Sequence, residues 1–500
     1  MRHEGGASTL AFSLNRPGGG GSFRGGSSSS GGSRSGSSSS SSSSSGGFHP
    51  SSSSGYSPAS SSGGYAGGSS GGSALGALFI LPVVFFIVIL LVILASRRRN
   101  AQSWATRAPV MQTPYEPPEE LRVSPRKELQ GLTDPSFSLV LFDDFLVALY
   151  TEIKIAQGKG QLARYQPYLA PTAMQTLTPP GAEITSVVVG SATIDEVNAD
   201  PQRVWVEVDF ETNYAVGHGG MYTSERWTFA RNRTAKSRAP KNARLIGCPN
   251  CGAPLDVIAA GVCSHCRANV TGGAFDWVVE RIAVQAQEPR GPMLTSNVEE
   301  EGTEEETVKD PGANAAFHAL TVDDPGTSWQ ALSARVGLTF GEFQTAWAAR
   351  DLVRMRPLMS DSLFATQTYW VEEYKRQHLR NITENAQIAS LELASVTRDA
   401  FYDAVTIRVY AWSLDYTVSD ANNQIVSGNR SRPRSYTEYW TMIRGRGAKG
   451  PPRMEKVCPN CGAPLDVTMA GDCKYCKVKV TTGQFDWVLS RIEQDEVYRG

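Results

Sequence analysis

The eight cysteines are the residues whose spacing best suggests chemistry, and all of them fall in Cys-x-x-Cys pairs: Cys248/Cys251, Cys263/Cys266, Cys458/Cys461 and Cys473/Cys476. In each half of the chain 11 residues separate the two pairs. A Cys-x-x-Cys turn folds into a tight knuckle, and two knuckles close a cage of four thiolates around a tetrahedral cation. The sequence therefore predicts two structural Zn2+ sites, since four sulfur ligands leave no position open for water or substrate. Gly252 and Gly462 follow the second cysteine of the first knuckle, where the turn calls for positive φ. His265 lies between Cys263 and Cys266, but Tyr475 takes its place in the second set, so no histidine ligand is needed. Disulfides, redox pairs and iron–sulfur ligation are the alternatives. A loop of this length builds no core of its own, so metal binding, worth about 10–16 kcal/mol in small zinc modules, would hold it.

A basic run precedes each cysteine set. Arg231, Arg233, Lys236, Arg238, Lys241 and Arg244 precede the first; Arg444, Arg446, Lys449, Arg453 and Lys456 precede the second, opposed only by Glu455. These are candidate contacts for anionic lipid headgroups, where each charge near such a surface contributes about 1 kcal/mol; a solvated loop is the plain alternative. Nucleic acid is not the expected partner. The net charge is −1, and no stacking aromatics or groove-reading motif accompany the basic runs.

Enzymatic residues are scarce. The six histidines, His3, His49, His218, His265, His318 and His378, have no counterparts between the two halves. Glu225 aligns with Glu438 and Tyr222 with Tyr436, and the pattern reads as an exposed strand with a packed tyrosine. Glu207 and Asp209 read as solvated strand positions. The chain is expected not to be an enzyme.

The elements that position the cysteines occur twice. CPNCGAPLDV at Cys248 returns at Cys458, and AFDWVVERI at Ala274 returns as QFDWVLSRI at Gln484. YTSERWTFAR at Tyr222 matches YTEYWTMIR at Tyr436, and VWVEVDFETNYAV at Val204 resembles VTIRVYAWSLDYTV at Val405. FDDF at Phe142 is aligned with FGEF at Phe340. Phe142, Phe145, Leu149 and Ile153 share one helical face, with Trp347, Leu352 and Met355 in the same role later; Val204 to Phe210 and Val405 to Ala411 alternate as half-buried antiparallel strands. Helices followed by strands predict an α+β class. Each cysteine set lies between two strand patterns, and so is expected as an insertion in a β-hairpin.

The rest of the chain divides by composition. Residues 1–73 are Ser/Gly-rich and expected to be disordered, since such a sequence buries too little apolar surface to offset its ordering entropy. Residues 74–96 are expected as one transmembrane helix, because 17 of the 22 residues from Ala74 to Ala95 are Leu, Ile, Val or Phe. Arg97, Arg98 and Arg99 then place the Ser/Gly tail outside and the C-terminal domains in the cytosol of a single-pass, inner-membrane-type protein. Residues 97–131 read as a Pro-rich stalk, 132–283 as a first domain with its ribbon at 246–272, 284–328 as an acidic linker, and 329–496 as a second domain with its ribbon at 456–482. The acidic run Glu299, Glu300, Glu301, Glu304, Glu305 and Glu306 reads as a solvated spacer.

DPSFS at Asp134 with FDDF, then AWAARDLVRMRPLMSDSLF from Ala346, the Tyr-x-Glu-x-Trp-Thr strand at Tyr436 and the closing Phe-Asp-Trp strand resemble the mitochondrial import inner-membrane translocase subunit 44-like domain family, in its bacterial single-pass form and in two copies. The first copy departs from the pattern: Gln157 to Arg164 lengthens the helix junction, and Pro167, Tyr168 and Leu169 alone match Arg-Pro-Leu-Met. The cysteine insertions lie outside it. The resemblance implies two cone-shaped domains of nuclear-transport-factor-2-like fold, helices packed on a curved sheet, and a membrane-peripheral scaffold with protein, peptide or lipid partners. Small-molecule binding or catalysis in a pocket of each cone is the alternative it leaves open, and two linked domains would gain avidity if the linker spans both sites.

Overall fold

The computed structural model describes residues 124–178, 181–217, 219–240, 246–289, 294, 302–495 and 497–500. The first lobe runs through helices α1 (Pro125–Leu132), α2 (Leu139–Gly158) and α3 (Pro171–Thr176) to strands β1 (Ile184–Ala199), β2 (Arg203–Val216) and β3 (Gly219–Asn232). The cysteine loop follows, with two-residue strands β4 (Ile258–Ala259) and β5 (Val262–Cys263), and β6 (Val278–Glu288) closes the lobe. The second lobe has α4 (Ala313–Asp323), α5 (Trp329–Ala348), α6 (Leu352–Met355), α7 (Asp361–Arg376), β7 (Leu379–Arg398), β8 (Tyr402–Ser419), β9 (Ile425–Gly428), β10 (Arg434–Gly445) and β11 (Val488–Gln494). The sheets are antiparallel, in the order β1-β2-β3-β6 and β7-β8-β10-β11, with β9 beside β8.

Each lobe begins with Asp-Pro-x-x-Ser. Ser138 and Ser328 accept a hydrogen bond from the N–H of Leu141 (3.3 Å) and Ala331 (3.1 Å), capping α2 and α5, which are both 20 residues long. Asp134, four residues before the first cap, binds Arg231 at 2.9 Å; Asp324, four before the second, binds Arg444 at 2.5 Å. All four side chains are buried, and each guanidinium also lies over a tryptophan, Trp277 at 5.8 Å and Trp487 at 4.7 Å from the ring centre. This clamp joins the helix start, the end of the strand before the cysteine loop and the strand after it.

The clamp corrects the internal alignment. Ser138 corresponds to Ser328, which sets Tyr150 against Phe340, and both rings pack on the sheet tryptophan, Trp227 at 4.9 Å and Trp440 at 5.7 Å. FDDF and FGEF therefore do not correspond; the second lies two helical turns later. With that register the Gln157–Arg164 junction carries no extra length. Leu169 and Met359 each form a parallel bridge to the closing strand, at Val279 and Leu489. The lobes diverge just afterwards, where α3 has 6 residues and α7 has 16.

The core of each lobe lies between helix and sheet. Val204, Val206, Val208 and Phe210 are buried, as are Val405, Ile407, Val409 and Ala411. Tyr150, Phe210 and Trp227 fill one interior, and Phe340, Phe343 and Trp440 the other.

The lobes are not beads on a spacer. Val188 and Tyr222 of the first belong to the core of the second, and Tyr369 of α7 donates to Asn213 of β2 at 3.3 Å. Val140 and Leu141 pack with Tyr402, Ala404 and Ile443, and Ser138 donates to Asp399 at 2.7 Å. The longer α7 thus seals sheet surface of the first lobe. The described end of the acidic linker is also structural: Arg408, wholly buried on β8, donates to the carbonyls of Gly302 and Glu305, both at 2.8 Å, and pairs with Asp495. Glu304, Glu305 and Glu306 face solvent, but their backbone covers the outer sheet face. Lobes packed together in this way are not independent domains on a spanning linker, so the expected avidity gain does not apply.

The fold class is corrected on one further point. The described residues have a helix-on-sheet architecture, and among them no helix is long and apolar enough to cross a membrane. The expected span at 74–96, the tail at 1–73 and the stalk at 97–123 lie outside the described residues.

The clamp yields a prediction. Burial raises the carboxyls of Asp134 and Asp324, but hydrogen bonds from Ser237 and Arg231, and from Gly450, Thr327 and Arg444, outweigh it and leave both below the ordinary carboxylate range. Their stabilisation is present at neutral pH and is lost as pH falls through values below about 4. Asp324→Asn strands a buried guanidinium and should cost about 3–5 kcal/mol in urea unfolding, while Asp324→Leu with Arg444→Met should recover most of it.

Candidate metal centres

The cysteine loops leave and re-enter the sheets at neighbouring points, between β3 and β6 and between β10 and β11. Each loop folds by local hydrogen bonds. Gly252 N–H donates to Cys248 O (2.8 Å) and Arg267 N–H to Cys263 O (2.7 Å); Gly462 and Lys477 repeat this on Cys458 and Cys473, both at 2.9 Å. The residue after each knuckle is left-handed, with φ of 75° and 72° at Gly252 and Gly462 and of 61° and 59° at Arg267 and Lys477. The glycines were legible from sequence; the strained arginine and lysine were not, because neither residue type signals positive φ.

The eight cysteines gather into two four-sulfur clusters that could hold a metal ion, each with its Sγ atoms within 4.8 Å of one another. Cys248 and Cys266 lie 3.8 Å apart and Cys251 and Cys263 3.9 Å apart; Cys458/Cys476 and Cys461/Cys473 give the same two values. A disulfide needs about 2.05 Å, so none of these is one. A tetrahedron with metal–sulfur bonds of about 2.3 Å has edges near 3.8 Å, and the donor set fits such an ion. The backbone N–H of Ala268 and the Asn250 side chain hold the Cys266 thiol down to about 6; the Asn460 amide, 3.4 Å from the sulfur, and the Val478 N–H do the same for Cys476. Burial pushes Cys248 up to about 12. Four thiolates this close repel one another unless a cation neutralises them.

The lobes hold their ribbons differently. In the first, Tyr168 donates to Gly247 O at 2.8 Å. In the second, Arg356 of the Arg-Pro-Leu-Met turn donates to Met469 O (2.8 Å) and Thr481 (3.1 Å), pairs with Asp361 and lies 4.7 Å over Phe364. Gly471, at φ 88°, has no room for a side chain, since a Cβ would fall 2.4 Å from that guanidinium. Arg356 is a positioning residue that spacing arguments missed, although it stood in the motif string.

The basic residues separate into two groups. Arg231 and Arg444 are the buried clamp cations and are withdrawn as lipid contacts, because a desolvated, paired guanidinium cannot reach a headgroup. Arg238 is mostly buried against Asp276 at 2.7 Å and is withdrawn as well. Arg233, Lys236, Arg446, Lys449, Arg453 and Lys456 are exposed, with Lys449 on Asp323 and Lys456 on Glu342. Lys241 and Arg244 lie outside the described residues.

The shared glutamates also differ from expectation. Glu225 and Glu438 are buried rather than exposed, and each accepts from the indole two residues on, Trp227 and Trp440, both at 2.9 Å. Lys154 of α2 pairs with Glu225 at 2.5 Å. Gln344 occupies the equivalent helix position in the second lobe, bridging Thr383 (2.7 Å) and Tyr436 (3.4 Å). The period-two alternation that turns Trp227 and Phe229, or Trp440 and Met442, inward turns Glu225 and Glu438 inward with them; only the residue type, which ordinarily prefers solvent, suggested exposure. Glu207 and Asp209, by contrast, are surface partners of Arg226.

Residues 314–452 match the Tim44-like domain family. The matched stretch runs from α4 to the loop after β10, ends before the second cysteine set and leaves out the first lobe. No curated protein matches the chain.

Elemental analysis of the full chain should find two thiolate-bound metal ions, and Cys473→Ser with Cys476→Ser should leave one. Because protons compete for the thiolates, release to a chelator should accelerate as pH falls. Far-UV dichroism should change little on release, since both sheets pair without the ribbons.

Proposed function

We propose that this chain is a non-enzymatic scaffold that works at a membrane surface, with two Tim44-like lobes, about 132–283 and 329–496, fused into one body and each stabilised by a structural Zn2+ ribbon. The observation that carries this reading is the occupation of both interiors. The one carboxylate common to the two sheets is sealed under an indole N–H, and aromatic rings fill the space a substrate would need. Function then falls to the outer surface, and the partners are proteins or peptides. The Tim44-like match supports a membrane-associated, protein-binding role for the second lobe. Free thiols in every pair suit a reducing compartment such as the cytosol.

In-cell crosslinking of the tagged full chain, followed by mass spectrometry, should capture a small, reproducible set of membrane-associated proteins. Capture indistinguishable from that of an unrelated membrane-surface protein would overturn the reading.

The six exposed basic residues beside the ribbons are the proposed contacts with anionic lipid. The chain should float with vesicles containing phosphatidylserine more strongly than with pure phosphatidylcholine. Changing Arg233, Lys236, Arg446 and Arg453 to Gln should weaken that difference by about fivefold per charge. Flotation indifferent to lipid charge would remove the lipid partner and leave the protein one.

A further inference from the structure

The two sheets share one register. Val208 faces Trp227 and Ile407 faces Trp440 across the strands, so Asp209 stands where Arg408 stands and Arg226 where Tyr439 stands, each again a cross-strand pair. Ile282 and Ile492 pair with the same tryptophans from the other side, which sets Gln285, 3.5 Å from Asp209, against Asp495, 2.8 Å from Arg408. We propose that this outer face of the first sheet docks a short, basic segment of a partner protein.

In the second lobe the chain itself covers this face. Arg408 donates to the carbonyls of Gly302 and Glu305, both at 2.8 Å, and Tyr439 Oη accepts from the Val308 N–H at 2.9 Å. The Asp310 N–H then donates to Ala394 O at 2.9 Å. Residues 302–310 thus cross the sheet as a strap that is neither helix nor strand. Beneath it the Arg408 side chain is 0% exposed and that of Asp495 8%. In the first lobe the same face is open among the described residues: the side chains of Asp209 and Arg226 are 30% and 32% exposed, and those of Asp195 and Arg281 48% and 68%. One copy of the fold therefore shows what the face is shaped to hold, and the other offers it uncovered.

The sign of the central group decides the occupant. In the second lobe it is a guanidinium, and the strap answers with backbone carbonyls. In the first it is a carboxylate. Asp209 grips Arg226 at 2.7 and 2.6 Å, Asp195 joins at 2.7 Å, and Glu207 lies 3.4 Å from Arg226 and 2.8 Å from Arg281. Such carboxylates accept from lysine and arginine side chains. Counted back from the two helix caps, Ser138 and Ser328, the chain's own equivalent of the strap is residues 112–120. That stretch holds Glu116, Glu119 and Glu120 and no lysine or arginine, so like charge turns it away. An anionic lipid headgroup is refused for the same reason. The inference rests on the protein-binding part of the scaffold reading and gives it a site.

The test titrates the full-length chain with the labelled peptide Gly-Thr-Lys-Lys-Lys-Thr-Val-Lys-Gly, of the strap's length, and with the same peptide carrying Gln or Glu in place of Lys. Fluorescence anisotropy should show binding of the lysine peptide alone. Carbodiimide labelling of carboxylates, read by mass spectrometry, should find Asp195, Glu207 and Asp209 reactive in the free chain and protected by that peptide. Glu207→Gln with Asp209→Asn should weaken binding about tenfold. Asp195→Asn, at the more exposed carboxylate, should weaken it by a smaller factor and serves if the double variant is less stable. Changing Glu304, Glu305 and Glu306 to Gln should leave the affinity as it is. Equal binding of the glutamine peptide, no binding, a face already protected in the free chain, unchanged affinity in the face variants, or loss confined to the Glu304–Glu306 variant would overturn the proposal. In-cell capture of partners that survives Glu207→Gln with Asp209→Asn would also overturn it and leave the scaffold reading standing.

Discussion

A buried carboxylate–guanidinium pair closed by an indole ring holds each lobe together. Asp134 with Arg231 and Trp277, and Asp324 with Arg444 and Trp487, join three segments that are far apart in sequence. The pair fixes the start of the long helix against the end of one strand and the beginning of the next. Everything inserted between those strands must leave and return at one point. That constraint makes the hairpin a fixed base on which a separate four-cysteine module can grow.

The ribbons depend on this base. Their own cores are a few apolar side chains beside the sulfurs, and the four-cysteine clusters could hold a metal ion. The second is docked on the body by Arg356, and the first by Tyr168. Loss of metal should therefore loosen a peripheral module while the sheets stand.

The duplication has not kept the lobes equivalent. Lys154 faces Glu225 in one interior, while Gln344 stands at the same helix position in the other. The helix after the turn is 6 residues in the first lobe and 16 in the second. The added turns bury surface of the first lobe that would otherwise be open, fusing the pair. Two copies of one fold thus form an asymmetric body.

The cysteine knuckles, the alternating strands and the repeated strings were legible in the sequence, because each is a local pattern whose spacing carries its own physics. The fourfold sulfur geometry follows from knuckle spacing, and the sheet cores from period-two alternation. The tertiary structure alone decided what burial and long-range pairing control. It turned Arg231 and Arg444 from surface charges into clamp residues, and Glu225 and Glu438 from strand exteriors into core acceptors. It also set the helix register by the Asp–Arg pair, where the phenylalanines had suggested another, and laid the backbone of an acidic linker against a buried arginine. In each case the residue type allows both states; the clamp arginines and the acidic linker find their partners some 100 residues away in the chain, and Glu225 finds Lys154 71 residues away.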